Sequence, residues 1–162
     1  KTDGIDAIIA ADSGMDFLYE NGVTPDIIVG DFDSATTKTL EFFERKGQTE
    51  IHRLNPIKDD TDTEYAIRLA IREGARSIVM LGATGSRIDH VLGNISLLGI
   101  GLESKTDISI IDTNNRIRMS DKPVTIEKSA QYGRFVSLIA VTDDNEVSLR
   151  GFKYPVTDYS FD

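Results

Sequence analysis

The sequence predicts an α/β protein, a three-layer domain with a parallel sheet between helices followed by a small all-β part. Four times in the first 105 residues a short apolar run leads through a loop into a segment of helical period, the pattern of βα units. Beyond residue 112 the period changes to strand-like alternation broken by turn signals. The loops after the first three predicted strands are acidic, and the loop after the fourth is glycine-rich.

Taken in order, Ile5 to Ala11 is the first expected strand, Asp26 to Gly30 the second, Thr49 to Leu54 the third and Ser77 to Leu81 the fourth. Short, continuously apolar runs of this kind suit strands covered on both faces. The expected helices are Gly14 to Asn21, Thr37 to Lys46, Thr61 to Glu73 and Ile88 to about Glu103. The third opens with Thr61 and Glu64 in capping-box spacing and carries Ala66, Ile67, Ala70 and Ile71 on one side. A fifth strand, Ile108 to Ile111, leads into Asp112-Thr-Asn-Asn115. Arg116 to Met119, Val124 to Glu127, Phe135 to Val141 and Glu146 to Arg150 then read as short antiparallel strands. This places a catalytic α/β domain at residues 1–115, and part of a β-sandwich domain at 116–162 that is too small to close on its own. The start on Lys1, already close to an apolar run, reads as a fragment of a longer chain.

Composition narrows the chemistry. The 162 residues carry a net charge of −9, with no cysteine and two histidines, His52 and His90. Disulfides, thiolate metal sites and a cysteine nucleophile are excluded, so any metal must be a hard cation held by oxygen. No apolar run approaches the ~20 residues of a membrane span, which predicts a soluble, cytoplasmic protein. Residues 1–62 hold 14 acidic and 6 basic side chains. Such a field repels nucleic-acid backbones and attracts divalent or organic cations.

Open α/β sheets bind ligands at the carboxyl ends of their strands. There the sequence offers Asp12 and Ser13, then Gly30-Asp31-Phe32-Asp33-Ser34, then Lys58-Asp59-Asp60-Thr61-Asp62, then Gly82-Ala-Thr84-Gly85-Ser86-Arg87. Asp31 and Asp33 can aim two carboxylates at one cation if the backbone turns, and they serve equally as an Asx-turn with Ser34 as helix cap. Asp12 can cap a helix, and Asp62 can complement a helix dipole, without chemistry. Their convergence on one edge favours Mg²⁺, because clustered carboxylates repel unless a cation holds them. Mg²⁺ brings phosphates with it, and Gly82 and Gly85 before a helix offer an anion seat. There is no Walker A and no dinucleotide G-x-G-x-x-G. Arg87, His90 and Asn94 form a polar stripe on the following helix, with Asp89 beside them as a partner.

Five segments in order, AADSGMDFL, PDIIVGDFDS, KDDTDTEYAI, GATGSRIDHVLGN and LRGFKYPV, resemble the thiamin pyrophosphokinase family. The resemblance implies a Rossmann-like catalytic domain whose first strand is missing from this sequence, a C-terminal β-domain and a homodimer. It implies transfer of a pyrophosphoryl group from Mg²⁺-bound ATP to thiamin, with AMP leaving. By the same resemblance Asp12, Asp31, Asp33 and Asp62 form the Mg²⁺–pyrophosphate centre, Asp59 assists, and Lys58 stands where some members have glutamine. Gly82, Thr84, Gly85, Ser86, Arg87, Asp89, His90 and Asn94, with Ser13, match positions around the nucleotide and nearby substrate groups. Within that set Asp31, Asp33 and Asp62 are the expected metal ligands, and Arg87 the phosphate support. The residues alone leave three rivals: a pyrophosphokinase for a pterin alcohol, a metal-dependent phosphohydrolase and a nucleotide-sensing module.

Overall fold

In the computed structural model, residues 4–32, 37–55 and 60–161 are described. They form two compact units, Lys1–Thr125 and Ile126–Asp162. In the first, β1 (Ile9–Ala11), β2 (Ile27–Gly30) and β3 (Glu50–Arg53) make a parallel sheet in that order, with Ile9 beside Ile27 and Val29 beside His52. A second sheet holds β4 (Ser77–Leu81) parallel to β5 (Asp107–Ile111) and β6 (Arg116–Arg118) antiparallel to β5. Five helices connect them: α1 (Gly14–Glu20), α2 (Thr37–Lys46), α3 (Asp62–Arg72), α4 (Ile88–Ser96) and α5 (Leu98–Ser104).

Each sheet has its own core. Ala10, Met15, Ile28, Leu40 and Phe43 fill the first, where α1 and α2 cover β1 and β2. Ile67, Met80, Ala83, Leu98, Ile108 and Ile110 fill the second. Helix α3 belongs to both, since it packs against β1 and β2 while its Ile67 is buried in the core of β4 and β5. Its apolar stripe follows the spacing seen in the sequence, and Thr61 caps it by accepting the Glu64 N–H at 3.1 Å. The box is half made: the Glu64 carboxylate turns forward to Arg68, one turn along, instead of back to the cap.

Several elements differ from the sequence expectation. The first strand begins at Ile9 because the chain is pinned one residue earlier, where the Asp26 carboxylate accepts the Ile8 N–H and Ile8 O accepts the N–H groups of Asp26 and Ile27. The long fourth helix is two, broken at Leu97. The break lets Leu98 and Gly101 of α5 seat against β5. The domain boundary expected at 115/116 falls in the turn between β5 and β6, and β6 stays with the first unit through its pairing with β5.

The second unit is a small β unit whose ladder joins β7 (Asn145–Leu149) antiparallel to β8 (Val156–Phe161), preceded by a 3₁₀ turn at Lys128–Ala130. The strands expected at Val124–Glu127 and Phe135–Val141 are in no ladder among the described residues, whereas β8 was not foreseen. A strand needs a neighbour for its backbone groups, and a single ribbon offers few positions. Phe135 and Ile139 stand 87% and 83% exposed in consequence.

Gly101 lies where α5 closely approaches the chain entering β5. A Cβ there would lie 2.6 Å from the Thr106 carbonyl oxygen and 2.9 Å from Ile108 Cγ1. Gly101→Ala should lower stability by about 1–3 kcal/mol, the usual cost of overpacking, read as a fall in the urea midpoint at unchanged m-value.

Candidate active site

The carboxyl ends of β1 and β2 point the same way because the two strands are parallel and in register. Just past them the chain makes two left-handed turns at residues other than glycine, Asp12 with φ of 46° and Phe32 with φ of 62°. Asp12 stays tied to the sheet, its N–H donating to Val29 O at 2.8 Å. At Phe32 this backbone is unusual for so bulky a side chain, a strain of order 1–3 kcal/mol that the surrounding packing must hold. Asp62 arrives from a third direction as the first residue of α3.

The result is a cluster in which one carboxylate oxygen from each of Asp12, Asp31 and Asp62 lies within 4.8 Å of the others, all three residues half-buried. Outside that set, Asp16 in the first turn of α1 has a buried Oδ1 without a hydrogen-bond partner among the described residues. Three oxygens of this kind suit a hard divalent cation, and their charges oppose each other until one is bound. Three predicted site residues, Asp33, Lys58 and Asp59, lie outside the described residues. Ser13 is the N-cap of α1 and makes no side-chain cap bond. Beside Asp31 a hollow of about 340 Å³ is lined by Phe32, Thr37, Leu40, Glu41, Glu44 and Arg53.

The glycine-rich turn follows β4 and is braced from two sides. From α4, Asn94 Nδ2 donates to Ala83 O at 2.9 Å. From the end of β5, the Asp112 carboxylate accepts the Thr84 hydroxyl. Asp112 also accepts the backbone N–H groups of Asn114 at 2.7 Å and Asn115 at 2.6 Å, and the Asn115 amide at 3.1 Å. Gly82 takes φ of 73°, turning the chain sharply at the strand end, while Gly85 and Ser86 lie exposed ahead of α4.

The expected polar stripe divides. Asn94 is spent on the brace, His90 is exposed, and Arg87 pairs with Asp89 through Nε at 3.2 Å and Nη2 at 2.6 Å. That hydrogen bond raises the Arg87 pKa and lowers that of Asp89. Arg87 is also the N-cap position of α4, with its side chain exposed. His52 is half-buried in β3, its ring nitrogens hydrogen-bonded to Tyr65 and Glu50.

Comparison with known proteins follows this division. Residues 2–111 match the family model described as thiamin pyrophosphokinase, catalytic domain, and residues 123–162 match thiamin pyrophosphokinase, vitamin B1 binding domain. The chain belongs to the thiamin pyrophosphokinase family. Thiamine pyrophosphokinase of Bacillus subtilis (strain 168) is 36% identical over 152 residues, spanning 93% of this chain and 70% of that protein. The crystal structure of thiamine pyrophosphokinase from Bacillus subtilis superposes with a TM-score of 0.82 at 32% identity, covering 94% of this chain and 71% of that one. That of thiamin pyrophosphokinase from Geobacillus thermodenitrificans gives 0.76 at 30% identity, covering 98% and 74%.

Asp112 is the residue that a search for acidic pairs and glycine loops passes over; its one signal is the Asp-Thr-Asn-Asn turn at the end of the fifth strand. Its donors, first the Asn114 N–H, hold its pKa down from 3.8 to about 2. The stability it contributes is therefore fully present above 3.8 and is lost as pH falls through about 2. Carboxyl-carbon NMR should place the Asp112 midpoint near 2, and Thr84→Val or Asn115→Ala should each move it upward toward 3.8.

Proposed function

We propose that this chain transfers the pyrophosphoryl group of ATP to the hydroxyl of thiamin, giving thiamin diphosphate and AMP. Family membership supports the reaction, and one observation carries the assignment of its site: three carboxylates from separate loops converge on one point at the carboxyl edge of a parallel sheet. The donor set fits Mg²⁺, held by Asp31 and Asp62 with Asp12, and by Asp33 from the same loop as Asp31. When bound, Mg²⁺ supplies charge neutralisation for the polyphosphate.

The chain's own residues have the remaining work. Attack by a hydroxyl on phosphorus needs no protein nucleophile, so the task is to hold two substrates in line. The bare N–H groups of Gly82 to Ser86 at the start of α4 offer a seat for phosphate oxygens, which Thr84 and Asn94 keep in shape through their bonds to Asp112 and Ala83 O. Arg87 is the phosphate-supporting cation, and Asp89 holds its guanidinium ready until an anion competes for it. Lys58, Asp59, Ser13 and His90 complete the substrate surround in this reading. Thiamin is cationic, and the acidic field of residues 1–62 favours its approach.

The reaction is cytoplasmic in this reading; among the described residues no helix is long and apolar enough to cross a membrane. A homodimer is the assembly in this reading, with the exposed Phe135, Ile139 and Val141 of the small β unit as the surface to be covered. Light scattering at micromolar concentration should give twice the chain mass.

The deciding assay combines the protein with ATP, Mg²⁺ and thiamin and resolves AMP from ADP. AMP and thiamin diphosphate should form in equal amounts, and ADP or free phosphate without an acceptor would overturn the reading. Asp31→Asn, which keeps size and removes charge, should lower turnover by about 10²-fold or more while thermal unfolding stays near wild type. Near-normal AMP production by that variant at saturating Mg²⁺ would remove Asp31 from the centre.

A further inference from the structure

We propose that Phe32 is a positioning residue of the acidic centre, its ring wedged between Gly30 and Arg53 so that the left-handed kink it occupies aims Asp31 at Asp12 and Asp62. The inference rests on the reading that these carboxylates hold a divalent cation.

Along an undistorted strand, Gly30 and Phe32 would share one face and Asp31 would take the other. The chain keeps the Phe32 ring on the Gly30 side and turns left-handed at Phe32, immediately after Asp31, with φ of 62°. Nothing in a phenylalanine side chain favours such a backbone, so contacts must hold it. Three sets of contacts do. A Cβ on Gly30 would stand 3.1 Å from Phe32 Cε1 and 3.3 Å from the Asp12 Cα, so the absent side chain admits the ring and the Asp12 backbone to the same spot. Arg53, paired with Gly30 in the β2–β3 register, sets its guanidinium 5.5 Å from the ring centre and is itself held by Glu44 at 2.5 Å. The ring also packs against the core of Ala10, Met15, Ile28, Leu40 and Phe43. Phe32 therefore packs against Gly30, the residue before Asp31, on the side of β2 that the Asp12 backbone also approaches.

A residue that only fills the core and one that aims a ligand differ in what their loss does to the folded protein. The first lowers stability and leaves metal affinity alone; the second weakens metal binding well below the melting temperature. The test is calorimetric titration of the full chain with Mn²⁺ alone, alongside thermal unfolding. Phe32→Ala should raise the Mn²⁺ dissociation constant by about tenfold or more, with Phe32→Tyr restoring it to within about twofold, as expected of groups that orient ligands. Arg53→Met and Phe32→Leu, which keep apolar bulk but lose the contact of cation and ring, should each weaken Mn²⁺ binding with little change in melting temperature. In turnover, the Mg²⁺ concentration for half-maximal rate should rise in Phe32→Ala while kcat at saturating Mg²⁺ holds. Wild-type Mn²⁺ affinity in Phe32→Ala with a lowered melting temperature overturns the proposal. Should that variant not fold, wild-type affinity in both Arg53→Met and Phe32→Leu overturns it equally. A wild-type protein that fails to bind Mn²⁺ refutes the metal reading itself, and this inference with it.

Discussion

Helix α3 is the element on which the first unit depends. Its first residue, Asp62, reaches the ends of β1 and β2, whereas Ile67, little more than a turn later, is buried among Met80, Ile108 and Ile110. The described strands of the first unit form two ladders, β1-β2-β3 and β4-β5-β6, and α3 gives them shared apolar packing. Burial of a side chain such as Ile67 contributes roughly 1.5–3 kcal/mol, comparable in size to the mutual repulsion of carboxylates near a surface. The helix can therefore hold Asp62 against Asp12 and Asp31 at a cost the packing offsets.

Much of this was legible in the chain. The acidic loops and the glycine-rich turn could be listed because strand ends in a parallel sheet lie on one edge, so the position of Asp12, Asp31 and Asp62 follows from finding β1, β2 and the Thr61 cap. The helix spacing of Ile67 and Ile71 likewise foretold the buried face of α3. What escaped is what depends on close approach. Phe32 reads as an apolar residue between two aspartates, and nothing local announces a left-handed backbone or an arginine from β3 above its ring. The break at Leu97 escaped for a similar reason, since Ile88 to Glu103 keeps a helical period and the interruption follows from how Gly101 meets Ile108. In the small β unit, alternation alone predicted strands at Phe135 to Val141, but alternation cannot supply a neighbouring strand.

The two loops also solve different physical problems. The acidic centre keeps like charges close and leaves them half-exposed, open to a cation. The glycine-rich turn leaves Gly82, Gly85 and Ser86 exposed while its carbonyl at Ala83 and hydroxyl at Thr84 are tied down by Asn94 and Asp112. Rigidity in the second case comes from neutral and charge-assisted hydrogen bonds, in the first from apolar packing and backbone strain.

The acidic loops stand on one core and the glycine-rich turn on the other, joined through α3. Two cores that share little beyond one helix are the kind of division at which local opening can occur in native-state hydrogen exchange. A metal–nucleotide complex that touches both loops binds only when both units are closed, so its binding free energy is added to the closing of each. Under the proposed function the substrate would act as a cross-link between cores, making protection of β4 and β5 amides a reporter of an event at Asp31.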